Sequence, residues 1–181
     1  MKIFRAILTL SLMLAAIPAL AISIKTDYDK NYNFGELKTF AFQNQKRGNN
    51  DPLKTNTLMS SRIKDSLTTQ LEANGYKQND DNPNFYVAYY AGSKEKLDIE
   101  SFGYGYPRYW RWGFGNDIWT RYYTEGSIVV DVIEAKNNQL VWRGLVTDMV
   151  DDNKPDQSEK QINNGAKELV KHFLKDIKKS R

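Results

Sequence analysis

The sequence has no cysteine and one histidine, His172, in 181 residues. Without cysteine no disulfide can form, and no thiolate is available as a nucleophile or metal ligand. Zinc and iron sites of the usual kinds draw their ligands mainly from cysteine and histidine, so no metal site and no cofactor are expected. A bacterial lipoprotein is acylated on a cysteine at its cleavage point, which excludes a covalent lipid anchor of that type. A Ser-His-Asp triad would have to recruit His172, and no G-x-S-x-G elbow is present to supply its serine. There is no Walker-type phosphate loop either. Beyond the first 21 residues no apolar run approaches the roughly 20 residues that a membrane-spanning helix needs.

What is present begins with residues 1–21. Lys2 and Arg5 make a basic start, Ile7 to Ile17 is almost wholly apolar, and Ala19-Leu20-Ala21 places small residues where a signal peptidase reads. This is the layout of an export signal cleaved near Ala21, and it implies a periplasmic or secreted product. The competing reading is a membrane anchor, for which the run is short. Removing Lys2 and Arg5 leaves 24 basic against 22 acidic residues. Near-neutral charge and export together argue against a nucleic-acid partner. The remaining residues, 22–181, suit one domain with a sizeable core.

Alternation predicts a strand from Ile22 to Tyr28, a plug at Phe34 and Leu37, and a second strand over Lys38 to Gln43. Leu58, Met59, Ile63, Leu67 and Leu71 form one apolar stripe of a first helix. Thr55, Asn56 or Thr57 caps its start, and Asn74-Gly75 ends it. Phe85 to Tyr90 reads as a third strand, and Leu97 and Ile99 as a charged strand near an edge. Ser127 to Glu134 and Leu140 to Val150 read as a hairpin around residues 135–139, with Asp131 opposite Arg143. Such a cross-strand pair is worth roughly 0.2–1 kcal/mol. A last helix starts near Asp156, with Glu159 completing a capping box. Its buried stripe is Ile162, Ala166, Leu169, Val170, Phe173 and Ile177, and lysines line the other side. The expected architecture is α+β and two-layered: a mixed, antiparallel-rich sheet of five to six strands with two helices on one face.

Two blocks carry a family resemblance. TDYDKNYNFGELKTFAF at residues 26–42 and EGSIVVDVIEAKNNQLVWRGLVTD at residues 125–148 resemble the bacterial envelope family known as domain of unknown function 4136. The matching positions are Asp27-Tyr28-Asp29, Phe34, Lys38-Thr39-Phe40, Gly126, Asp131 and Trp142-Arg143-Gly144. The resemblance implies an exported, lipoprotein-like α+β domain with no established activity, and it supplies no catalytic residues. Many such proteins carry a lipobox cysteine, and this chain does not.

Carboxylates are the remaining candidates for chemistry. Asp27 and Asp29 bracket Tyr28 and would share a strand face, which is the arrangement a carboxylate-dependent hydrolase needs if both flank a cleft. The plainer alternative is a turn cap or a pairing with lysine. Asp151-Asp152-Asn153 with Asp156 lacks the spacing and glycine of a calcium loop and reads as a turn.

Residues 102–123 (FGYGYPRYWRWGFGNDIWTRYY) hold ten of the 23 aromatic side chains, interleaved with Arg108, Arg111 and Arg121. Gly and Pro interrupt any regular pattern, while each ring has roughly 150–250 Å² to bury. The rings pack on the domain's own sheet, or meet a ligand, or meet a membrane surface. Tyr109, Trp110, Arg111, Trp112 and Trp119 are the candidate binding residues, with rings that stack on a glycan or peptidoglycan and an arginine that contacts an anion. Together these features point to a non-enzymatic binding or scaffolding domain of the cell envelope, whose partner is an envelope protein or glycan. The alternatives are a carboxylate-dependent envelope hydrolase and a structural subunit of an envelope assembly.

Overall fold

The computed structural model describes residues 23–44, 52–91, 127–147 and 155–180. Among these residues are six strands: β1 (Ile24–Tyr28), β2 (Thr39–Phe42), β3 (Lys77–Gln78), β4 (Phe85–Ala91), β5 (Ile128–Glu134) and β6 (Gln139–Val146). The described residues also form two helices, α1 (Thr57–Ala73) and α2 (Pro155–Lys179), with short 3-10 turns at Phe34–Glu36 and Pro52–Lys54. The strands form one sheet in the order β1-β6-β5-β4-β2-β3. The β1–β6, β6–β5 and β5–β4 pairs are antiparallel, and β2 runs parallel to both β4 and β3. This is the α+β, mixed-sheet architecture expected from the alternation of strand and helix patterns.

Side chains alternate across the sheet, so each strand gives one row to each face. Phe40, Phe85, Val87, Tyr89, Val130, Val132 and Trp142 belong to the core beneath the helices. Phe173 of α2 is its centre, with ring centroids 5.3 Å from Trp142, 5.9 Å from Tyr76 and 6.4 Å from Phe34. The stripe predicted for α2 is buried throughout. On α1, Ile63, Leu67 and Leu71 are buried, but Leu58 is 61% exposed. Leu58 lies in the first turn, and the fully buried stripe of α1 starts at Ile63, later than the spacing suggests.

Local chemistry sets the helix ends. The Asn56 side chain accepts a bond from the Met59 amide at 3.0 Å, which selects it among the three predicted caps. At the other end the Tyr76 amide donates to the Leu71 carbonyl and the Gly75 amide to that of Glu72. Gly75 has φ of 90°, the left-handed geometry that glycine adopts without strain.

The chain leaves β4 at Ala91 and enters β5 at Ile128, and these two residues face each other in the ladder. The predicted strand at Leu97 and Ile99 falls between them, outside the described residues. The hairpin between β5 and β6 is tighter than expected. Glu134 pairs with Gln139, leaving residues 135–138 as the loop. Asn138 takes φ of 56° there, a conformation that asparagine tolerates better than most residues.

Candidate functional site

Asp27, Arg143 and Asp131 share the sheet face opposite Trp142 and the helices. Ladder pairing puts Asp27 of β1 beside Arg143 of β6, and Arg143 beside Asp131 of β5. Together they form one row, with a cation between two carboxylates. The Arg143 Nε and Nη2 donate to Asp131 Oδ1 and Oδ2, each at 2.6 Å. Asp131 is 0% and Arg143 2% exposed. The cross-strand pair expected from the hairpin therefore exists, but as a buried, two-point ion pair. Surface-pair energetics do not apply to it.

Asp27 is half-buried, and its Oδ1 accepts from the Tyr28 amide at 2.9 Å. Burial pushes its carboxyl above the ordinary value of 3.8, against the lowering effects of that amide, Arg143 and Lys30. Asp29 lies one residue past the end of β1 and does a different job. Its Oδ1 accepts from the Asn31 amide and its Oδ2 from Gln139 Nε2, while its own amide donates to the Val141 carbonyl. Asp29 thus closes the turn after β1 onto β6. Asp27 and Asp29 do not form an opposed pair across a cleft, because the strand alternation that would align them ends at Tyr28.

Two further polar contacts tie the helices and turns to the sheet. Trp142 Nε1 donates to Asp176 Oδ2 at 3.2 Å beneath α2, with Lys179 3.8 Å from the other oxygen. The Tyr32 hydroxyl donates to Glu134 Oε1 at 3.0 Å. Burial, then the Glu134 bond and the charges of Glu134 and Glu36, push the Tyr32 phenol well above its ordinary value, so it stays protonated. Sequence reasoning missed Asp176. The available signal was an acid beside Ile177, three residues beyond the buried Phe173. His172 lies on α2 and is half-buried. Among the described residues no group of three or more His, Asp or Glu is placed to hold a metal ion. Between helices and sheet lies a cavity of about 20 Å³, walled by apolar side chains including Leu67, Val87, Val130, Trp142 and Phe173. A void with an apolar lining stays dry and offers no polar handle to a ligand.

Tyr109, Trp110, Arg111, Trp112 and Trp119, with the rest of the aromatic segment, lie outside the described residues, as does Asp151-Asp152-Asn153. Among the described residues no helix is long and apolar enough to cross a membrane.

The family model for a domain of unknown function, DUF4136, matches residues 24–173, from the first residue of β1 to Phe173 on α2. The chain belongs to the DUF4136 family. Every described strand of this DUF4136 domain, the Asp27–Arg143–Asp131 row and the Trp142–Asp176 bond fall within or at the edge of the matched span. A PDZ domain protein from Parabacteroides distasonis has a similar fold, with a TM-score of 0.52 at 14% identity over 84% of this chain and 36% of that one. A DUF4136 family protein from Bacteroides thetaiotaomicron gives 0.49 at 17% identity, over 84% of this chain and 96% of that one. A PelC dodecamer from Paraburkholderia phytofirmans gives 0.38 at 10% identity, over 87% and 97%. No curated protein matches this DUF4136 domain.

Proposed function

We propose that this DUF4136 protein is exported to the cell envelope, loses residues 1–21, and there binds or scaffolds a partner without catalysing a reaction. The use of its interior charges carries the non-catalytic reading. Asp131 is held at two points by Arg143, Asp29 by a backbone amide and Gln139, and Asp176 by Trp142. An acid or base for hydrolysis must reach a substrate proton, and these carboxylates are directed into their own fold. The apolar run behind Lys2 and Arg5 supports export.

The proposed contact residues are Tyr109, Trp110, Arg111, Trp112 and Trp119. They belong to the 92–126 connection, whose two ends leave adjacent strands at paired positions, Ala91 and Ile128. A long connection anchored at neighbouring strand ends is a common place for binding residues, because the sheet fixes where it starts and stops. An envelope protein or a glycan such as peptidoglycan fits rings that stack and an arginine that contacts carboxylates.

The test has two parts. Expressed in full, the chain is recovered from the periplasmic fraction with a mass short by residues 1–21. Immobilised, it captures an envelope protein or glycan fragment that the Trp110→Ala/Trp112→Ala variant does not. Recovery of the unprocessed chain in the cytoplasm overturns the export reading, and an unchanged capture profile overturns the aromatic contact.

A further inference from the structure

The positive charge of the chain is concentrated at its end. Residues 159–181 hold seven basic and three acidic residues, whereas residues 22–158 hold 17 basic and 19 acidic ones. Lys160, Lys167, Lys171, Lys175 and Lys178 follow one another at intervals of seven, four, four and three residues on α2. At 3.6 residues per turn these positions fall within about 80° of arc. Lys178 lies five whole turns beyond Lys160, so the line is about 27 Å long at 1.5 Å per residue.

All five lysines are exposed. Lys171 pairs with Glu168 at 2.8 Å. Lys160, Lys167, Lys175 and Lys178 have no ion-pair or hydrogen-bond partner among the described residues. The opposite side of the helix is locked into the core through Ile162, Leu169, Phe173 and Ile177, which holds the line straight. Asp176, the one buried acid among the described residues of the helix, is directed inward to Trp142.

We propose that this lysine line is a docking surface for an anionic phospholipid bilayer. A discrete anion needs donors that converge, and a helix face is convex. A plane carrying many phosphates meets every residue of a straight line at once. Lysine suits that role, being a hydrated point charge without the planar fork that arginine uses for bidentate recognition. Basic residues near an anionic membrane each strengthen binding by about fivefold, and their contributions accumulate along a line. This surface lies on α2 and stands independently of the aromatic contact proposed above.

Residues 22–181, which contain every described element, are sedimented with vesicles of phosphatidylcholine alone or with about 30% phosphatidylglycerol. Binding is expected only to the anionic vesicles. It is expected to vanish as salt rises from about 0.1 M to 1 M, which shortens the screening length from about 10 Å to 3 Å. Lys160→Gln/Lys167→Gln/Lys175→Gln/Lys178→Gln is expected to weaken binding more than about tenfold. A control variant of equal net charge, Lys30→Gln/Lys38→Gln/Lys77→Gln/Lys136→Gln, changes exposed lysines elsewhere and is expected to bind like the parent. Circular dichroism confirms that both variants fold. The proposal is overturned if the parent ignores anionic vesicles, if both variants lose binding equally, or if dextran sulfate binds the lysine line while vesicles do not.

Discussion

Asp131→Ala isolates the role of the charged row. The substitution removes the two carboxylate oxygens that Asp131 offers to Arg143, a guanidinium that is 2% exposed. Removing one partner of a buried pair costs about 3–5 kcal/mol, because the remaining charge keeps its burial but loses a two-point contact. Had the pair been exposed, the loss would be about 0.2–1 kcal/mol. Against a total stability of about 5–15 kcal/mol for a domain, the difference is easily measured. Urea unfolding followed by tryptophan fluorescence reports it. With a slope near 2 kcal/mol per molar, the midpoint falls by about 2 M. Arg143→Ala removes the two donors of the same pair, and its midpoint falls by a similar amount. The double variant loses less than the sum of the two, with a coupling of about 2 kcal/mol or more. If Asp131→Ala costs under about 1 kcal/mol, or if the two losses simply add, the pair is not the structural unit described. Asp131 would then be held in place for another purpose, and the non-catalytic reading would fail with it.

Four other substitutions probe separate parts of the fold. A Cβ at Gly144 would overlap Trp142 Cη2 and stand 2.7 Å from Leu169 Cδ2, so Gly144→Ala is expected to cost about 1–3 kcal/mol in urea unfolding. Trp142→Phe keeps an aromatic ring, though a smaller one, and deletes the donor to Asp176, for an expected loss of about 1–3 kcal/mol, which Trp142→Phe/Asp176→Leu partly recovers. Asn56→Ala removes the cap of α1 and is expected to cost about 1 kcal/mol, while Asn56→Asp keeps most of it. Asp27 has a folded-state value raised above 3.8, so its ionised form costs stability. Its contribution is therefore most favourable at low pH and is lost as pH rises from 3.8 through the folded-state value. Asp27→Asn flattens the stability–pH curve in that window, which titration of the urea midpoint between acid and neutral pH checks.

Elements with a local signature were legible in the sequence, and those made by distant partners were not. The β5–β6 hairpin declared itself through two runs rich in Val, Ile and Leu around a polar loop, and this placed Asp131 opposite Arg143. The stripe of α2 was complete because its apolar spacing never breaks from Ile162 to Ile177. β3 was missed, being two exposed residues with no apolar alternation. The parallel insertion of β2 between β4 and β3 joins segments about 40 to 45 residues apart, which no local pattern encodes. For the candidate site, the identity of the Asp131–Arg143 pair was readable but its burial was not, because burial depends on what surrounds the strands. Asp29 was misread for a local reason: β1 stops at Tyr28, so strand alternation no longer sets its direction.

The pair and the indole together explain why the hairpin register is fixed on both faces. Trp142 and Arg143 are consecutive, so they point to opposite sides of the sheet. A slip of one residue exchanges them. Arg143 would then enter the apolar layer formed by Val130, Val132 and Phe173, far from Asp131. Trp142 would leave Asp176, stranding a carboxylate that is 5% exposed. Each error strands a buried charge, and each is of the several-kcal/mol class argued for Asp131→Ala. Gly144 adds a steric condition, since only a residue without a side chain fits under Leu169. The ladder is nevertheless irregular between Val132 and Ile133, where Val141 is the extra residue of β6. The irregularity begins immediately beyond Trp142, after the last of these three constraints has been met. From Trp142 to Gly144 the ladder is therefore held by polar contacts on two faces and by close packing, and the mismatch with the loop is absorbed in the one stretch those contacts leave free.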